Sequence, residues 1–302
     1  MAKAKNNNKV RLSVQAVWAA VTNSYVIGFI QGKIYKGSLK NLCVPGLNCY
    51  SCPGALGSCP IGALQSVLGS RGFKFAFYIV GFLMLVGAIC GRFICGFLCP
   101  FGLIQDLLHK IPFPKKIKMF KGDKLLRILK YVILLVFVII LPMFFVDISG
   151  NGTPYFCKLI CPAGTLEGGI PLVIMDKMLQ SIIGFLYTWK LVILGIIIFL
   201  SIIIYRPFCK YICPLGAIYS IFNPISFYKY KVDKNACINC GKCSENCKMG
   251  IKPNINPNAL ECIRCGDCKK ICPTGAITSG FKNKPSCKNK DVKHEKDKCG
   301  KL

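Results

Sequence analysis

The chain has 302 residues, 53% of them hydrophobic, and a mean hydropathy of +0.48, which excludes an ordinary soluble globule. Forty Lys and Arg stand against twelve Asp and Glu, a formal net charge of +28; these basic residues flank apolar runs instead of lining one soluble face, so nucleic acid is not the expected partner. The 21 cysteines fall at metal-ligand spacings, which argues against a secreted disulfide scaffold.

Residues 1–11, MAKAKNNNKVR, form a basic N-terminal segment, and no cleavable signal peptide is expected. Four membrane spans are expected, at 12–30, 74–94, 126–146 and 189–205, each near the ~20 residues that cross a hydrocarbon core. Gln15, Asn23 and Ser24 in the first span are candidates for helix-to-helix hydrogen bonds or for contact with a quinone. The stretch 168–188 carries Asp176 and Lys177 and reads as a re-entrant or interfacial helix. Lys and Arg number four in 1–11 and eight in 100–130, and they crowd the region after Arg206; segments 31–72 and 147–180 hold only four and two. The positive-inside rule then places both termini and the middle loop in the cytoplasm, with 31–72 and 147–180 outside, as in a multi-pass protein of the cell membrane.

Residues 92–102 (RFICGFLCPFG) and 206–216 (RPFCKYICPLG) share the pattern R-x-x-C-x-x-x-C-P-x-G, each at the end of an outside-to-inside span. The membrane domain, 12–228, therefore reads as two tandem helix-pair repeats. Cys95 with Cys99, and Cys209 with Cys213, are i,i+4 pairs on one face of a helix end, and together they make the four thiolates of a [4Fe–4S] cluster. Pro100 and Pro214 would end the helix after the second thiol, and Gly102 and Gly216 would let the backbone approach closely. Arg92 and Arg206 are the candidates for offsetting the cluster's negative charge, beside the ordinary role of Arg at a cytoplasmic helix end.

A further set lies in the loops expected outside. Residues 43–65 carry Cys43, Cys49, Cys52 and Cys59, and residues 157–167 carry Cys157 and Cys161. CPIGALQ and CPAGTLE stand at equivalent places in the two halves, which points to an outer metal site mirroring the inner one. Cys52, Cys59, Cys157 and Cys161 are its expected ligands, with Cys43 and Cys49 left as a disulfide or as ligands of something else; extracytoplasmic disulfides are the alternative. Sites at opposite faces would be separated by a hydrocarbon core of ~30 Å, a long single hop, so either the sites are sunk into the membrane or a quinone or another cofactor sits between them.

Residues 237–247 (CINCGKCSENC) and 262–273 (CIRCGDCKKICP) both read C-x2-C-x2-C-x3-C, the run of bacterial two-cluster ferredoxins, in which the fourth cysteine serves the other cluster. One cluster would take Cys237, Cys240, Cys243 and Cys272, the other Cys262, Cys265, Cys268 and Cys247, with Lys248 where that pattern has proline. Residues 229–280 are thus expected to be a small α+β domain that needs its metal to fold. Residues 281–302 are a lysine-rich tail in which Cys287, His294 and Cys299 are expected to be free. His109 and His294 both lie outside the spans, so no b-type haem is expected between helices, and no nucleophile–base pair or phosphate-binding loop is visible.

With these motifs the chain resembles the NapH-type membrane-bound iron–sulfur proteins, over about 73–280 and on RFICGFLCPFGLIQDLL, RPFCKYICPLGAI and the two ferredoxin runs. The resemblance implies a mainly α architecture: a four-helix polytopic membrane domain followed by a two-cluster ferredoxin domain. It implies electron transfer between a cytoplasmic or quinone donor and a partner protein, in the lipid bilayer, with quinone or quinol redox as its only substrate chemistry. A membrane redox factor that readies copper, haem or thiols for another enzyme is the alternative.

Overall fold

The computed structural model describes residues 2–69, 76–114, 116–118, 120–145, 152–181 and 183–281. Cys287, His294 and Cys299 lie outside the described residues.

Helix α1 (Ala2–Thr22) turns Arg11, Gln15 and Thr22 inward and leaves Val10, Val14, Val17 and Val21 on the outside. Spacings of four and seven put each set on one face, but with the polarity of a water-soluble helix reversed. The helix stops at Asn23, whose side-chain amide donates back to the Ala19 carbonyl, 3.0 Å. The Tyr25 N–H then leaves the helical ladder for the Gly54 carbonyl, 3.1 Å, before α2 (Val26–Gln31) begins. The expected span 12–30 is therefore two helices with a break. Short polar side chains that bond the local backbone are the physical cause.

After a loop, α3 (Pro60–Leu68) packs against α4 (Ala76–Cys90). The described part of the expected span 74–94 is thus a 15-residue helix. It is ~22 Å long, short of a ~30 Å core. Gly91, at a φ of 52°, ends it. Short helices α5 (Phe93–Phe97) and α6 (Pro100–Leu108) follow, and then the long α7 (Asp123–Phe144). Next come α8 (Tyr155–Leu159), α9 (Gly164–Met175), α10 (Lys177–Ser181), α11 (Phe185–Ile203), α12 (Pro207–Tyr211) and α13 (Pro214–Phe222). Among the described residues, α7 and α11 are the two helices long and apolar enough to cross a membrane, against the four spans expected. The expected re-entrant stretch 168–188 is divided among α9, α10 and the start of α11. Both α7 and α9 contain a π-helical stretch, Leu134–Ile140 and Gly164–Gly169. Each ends two residues before a proline, Pro142 or Pro171, whose missing N–H widens the ladder behind it.

The C-terminal unit has two antiparallel strands, β1 (Lys229–Val232) and β2 (Ile277–Gly280), with Lys229 opposite Gly280. Helices α14 (Lys242–Glu245) and α15 (Asp267–Ile271) lie between them in the chain. The interior of the helical part buries Arg92, Arg206, Lys210, Asp106 and Asp123, while Phe77, Leu125, Phe144, Phe185 and Phe199 face outward. Exposed apolar side chains and buried charges together invert the usual soluble distribution.

Candidate metal centres

In the C-terminal unit the chain doubles back so that thiols from both runs meet. Cys237, Cys240, Cys243 and Cys272 line one cavity. Cys247, Cys262, Cys265 and Cys268 line another. The turns that present them are matched: Asn239 and Arg264 have φ of 50° and 53°, and the glycines that follow each CxxC, Gly241 and Gly266, have φ of 73° and 84°. These left-handed turns point successive backbone N–H groups inward, the concave arrangement that suits an anion.

In the helical unit, Cys95 sits in α5, Cys99 caps α6, Cys209 sits in α12 and Cys213 caps α13. All four are buried. Cys99 is in electrostatic contact with Cys209 and Cys95, and Cys213 with the other three. Three of the donors around them cross between the repeats. Arg92 Nη2 donates to the Cys209 carbonyl at 3.0 Å, and Arg206 Nη1 donates to the Cys95 carbonyl. Gln105 Nε2 donates to Cys209 Sγ at 3.2 Å, and the Gly216 N–H to Cys213 Sγ at 3.4 Å. Arg206 is held by Asp106, at 2.8 and 2.5 Å. Burial alone would push the Asp106 carboxyl up; the guanidiniums of Arg206 and Arg11 more than offset that and hold it low.

The loop cysteines form a second cage of the same design. Cys161 is in electrostatic contact with Cys157, Cys49 and Cys59, and Cys49 with Cys59 and Cys157. A Cβ added at Gly164 would lie 3.7 Å from Cys49 Sγ and 3.8 Å from Cys161 Sγ; one at Gly62 would lie 3.9 Å from Cys157 Sγ. Cys52 points away: its thiol meets Asn23 Oδ1 at 3.6 Å, and its charged neighbours are Glu167 and Lys40. The structure thus groups Cys49, not Cys52, with Cys59, Cys157 and Cys161. Cys43 lines the same cavity, near Cys59, and Cys90 belongs to no cage. Burial, with the repulsion of neighbouring thiols and of Glu167, pushes Cys49 up to about 12; burial and Cys59 push Cys157 up to about 12. Such thiols are neutral at pH 7 until a metal displaces their protons.

Several participants escaped the sequence reading. Gln65 and Gln105 carry one signal that would have found them, the repeated C-P-x-G-x-x-Q of 59–65 and 99–105. Glu261 carries none: it pairs with Arg92, 2.6 Å, across 169 positions, and also with Lys130. The contacts between cages were equally hidden. A Cβ at Gly96, in α5, would lie 2.5 Å from the Ile263 carbonyl, between two ferredoxin ligands. A Cβ at Gly46 would lie 2.4 Å from the Leu98 carbonyl, next to Cys99.

Thiols alone do not specify an iron–sulfur cluster. Among the described residues no group of three or more His, Cys, Asp or Glu is placed to hold a single metal ion. Four thiolates sharing one tetrahedral zinc at ~2.3 Å would have to crowd to ~3.8 Å from one another. Four thiolates on a cubane each bind a different iron and stand further apart. That donor set, with N–H groups aimed at sulfur, fits a [4Fe–4S] cluster.

Comparison with known proteins agrees with the chemistry. One 4Fe-4S binding domain family matches residues 73–119, 130–170 and 187–231, and a second 4Fe-4S binding domain matches 255–278. The chain is 30% identical over 208 residues to uncharacterized protein MJ0750 of Methanocaldococcus jannaschii, covering 64% of this chain and 74% of the relative. It is 28% identical over 195 residues to the putative electron transport protein YccM of Escherichia coli, covering 63% of this chain and 49% of the relative. It is 28% identical over 169 residues to the methylamine utilization ferredoxin-type protein MauN of Paracoccus denitrificans, covering 55% and 50%. The chain thus spans about half the length of the last two. No solved structure matches it.

Proposed function

We propose that this chain, which belongs to the family of uncharacterized protein MJ0750 and matches two 4Fe-4S binding domains, is an iron–sulfur electron-transfer protein that works in a membrane, passing electrons between a cytoplasmic or quinone donor and a membrane or extracytoplasmic partner protein. The observation that carries the reading is the contact between the two kinds of cage. Gly96 of α5 abuts Ile263 of the ferredoxin loop, and Arg92 reaches from the Cys209 carbonyl to the Leu260 carbonyl, 3.0 Å, and the Glu261 carboxylate.

In this reading Cys237, Cys240, Cys243 and Cys272 hold one cluster, Cys262, Cys265, Cys268 and Cys247 a second, and Cys95, Cys99, Cys209 and Cys213 a third. A [4Fe–4S] cluster supplies reversible one-electron chemistry at a potential set by net charge, hydrogen bonds to sulfur and burial. The protein's residues supply those three settings. Arg92 and Arg206 bring positive charge without touching sulfur, Gln105 and the Gly216 amide donate to it, and the helices exclude water. Helices α6 and α13 both begin at a cage cysteine, so the positive ends of two helix dipoles face the site.

Membrane placement is supported by α7 and α11 and by the outward apolar faces of α1 and α4. With cytoplasmic termini, as the lysine distribution argues, the ferredoxin domain lies on the cytoplasmic side. The NapH-type resemblance and a quinone as donor belong to the same reading.

Iron and acid-labile sulfide counts on the anaerobically purified full chain test it. The three cages named here predict at least ~12 irons per chain, four per cubane. Substituting Cys95→Ala with Cys209→Ala should remove about four irons and leave the ferredoxin EPR signals. A wild-type count of about eight would reduce the protein to a tethered ferredoxin and favour the assembly-factor alternative.

A further inference from the structure

The cysteine loop at 43–59 lies outside both matched families. We propose that Cys49, Cys59, Cys157 and Cys161 hold a further [4Fe–4S] cluster, in electron exchange with the Cys95/Cys99/Cys209/Cys213 cage across the Leu47–Asn48 peptide. This inference rests on the iron–sulfur reading above and extends it to a site that the family matches do not supply with half its ligands.

The first support is repetition of a whole geometry. Cys59 and Cys99 each cap a helix whose first residue is proline and whose third is glycine. Cys161 receives the Gly164 N–H at 3.4 Å as Cys213 receives that of Gly216. The Cys161 N–H turns back to the Phe156 carbonyl at 3.0 Å, and the Cys213 N–H to that of Phe208 at 2.9 Å. Gln65 Nε2 donates to Cys157 Sγ at 3.4 Å, as Gln105 does to Cys209. Both cages therefore pair a C-P-x-G-x-x-Q helix start with a C-K-x-I-C-P-x-G turn from the other half of the chain.

The second support is room with an unanswered donor. A cavity of about 1060 Å³ is lined by Cys49, Cys59, Cys157 and Cys161. Asn48 lines it too, is 0% exposed, and its side-chain nitrogen and oxygen have no partner among the described residues. A buried amide without a partner is costly. A cluster sulfide in the cavity would accept its N–H. A disulfide between two of these thiols would leave that amide unanswered.

The third is distance. Leu47 and Asn48 both line the cavity of the second cage, and a Cβ added at the neighbouring Gly46 would lie 3.1 Å from the Cα of Cys99. Consecutive residues are 3.8 Å apart, so cages that touch Gly46 on one side and Asn48 on the other are separated by on the order of 10 Å. That replaces the ~30 Å gap expected for sites at opposite faces of a bilayer. Tyr219 fills the space beside the peptide, close to Cys95 and Cys99 of one cage and Cys59 of the other, its hydroxyl donating to the Pro45 carbonyl at 3.0 Å. The exchange moves one electron: one centre is oxidised as the other is reduced, and no bond is made or broken.

The test compares Cys49→Ala, Cys52→Ala and Cys43→Ala in the full chain, purified anaerobically, by iron and sulfide content and EPR. The wild type should hold ~16 irons; Cys49→Ala should hold ~12 with the ferredoxin signals unchanged, and the other two should keep ~16. A Cys49→Ala protein that keeps ~16 irons, or a Cys52→Ala protein that alone falls to ~12, overturns the assignment. The wild-type count decides even if a variant does not accumulate. About twelve irons overturns this inference alone, and about eight overturns the reading beneath it as well.

Discussion

Arg92 joins the two kinds of cage with one side chain: one guanidinium nitrogen donates to the Cys209 carbonyl, the other to Leu260 and Glu261. Glu261 precedes the ligand Cys262 and is shared with Lys130, so one buried carboxylate serves two buried cations. Removing such a partner strands the charges left behind. Glu261→Gln is expected to destabilise the docked ferredoxin domain by about 3 kcal/mol, read as a lower denaturant midpoint and faster amide exchange near residues 258–266. The pH dependence follows from the same contact. Burial by itself would push the Glu261 carboxyl up; Arg92 and Lys130 outweigh it and hold the group below the usual carboxylate range. A depressed carboxylate contributes stability above its unfolded value of about 4 and loses it as pH falls through the folded one. Docking should therefore persist at pH 5 and weaken below about pH 4; loss of protection already between pH 7 and 5 would contradict the pairing. At this scale the sequence was partly legible. The eleven-residue repeat marked Arg92 and Arg206, whereas Glu261 had no pattern to mark it. Spacing does not separate Cys52 from Cys49; in the fold the Cys52 thiol meets Asn23 while Cys49 lines the cavity with Cys59, Cys157 and Cys161.

Among elements, the repeated unit is a cysteine that caps a helix, a proline that starts it, and a glycine three residues after the cysteine, whose N–H donates to the thiol at Cys161 and Cys213. Pro at the first helical position loses no hydrogen bond, and the helix dipole favours the negative charge that a cluster carries. Close packing between elements depends on missing side chains. Gly96 lets α5 approach the Ile263 carbonyl, and Gly96→Ala would force a Cβ to 2.5 Å from that backbone oxygen. Its expected cost is about 1–3 kcal/mol, seen as a lowered ferredoxin-domain midpoint, with iron content unchanged. Helix ends were less legible than motifs. Hydropathy ran 12–30 together because it does not weigh Asn23 and Ser24 as helix breakers. It extended 74–94 past Gly91, whose left-handed backbone ends α4.

At the scale of the whole molecule, an apolar core is joined by buried charges such as Arg92, Arg206 and Asp106 beside the first cage, while Phe77, Leu125 and Phe199 turn outward. Gly96 of α5 abuts the Ile263 carbonyl of the ferredoxin loop, and Gly46, beside two residues that line the second cavity, abuts the Leu98 carbonyl next to Cys99. Charge counting along the chain predicted two faces separated by a bilayer. It could not foresee that the 43–48 loop folds back until Gly46 rests on Leu98. Such long-range returns leave no periodicity in a sequence, whereas the cysteine runs, each local, were readable at once. The central claim is that the cages form a contiguous row, and low-temperature EPR of the chemically reduced full chain tests it most directly. The account predicts a spectrum broadened by magnetic interaction between neighbouring clusters, simplified when Cys209→Ala removes the middle one. A wild-type spectrum that is a plain sum of isolated clusters, unchanged by that substitution except in intensity, would contradict it.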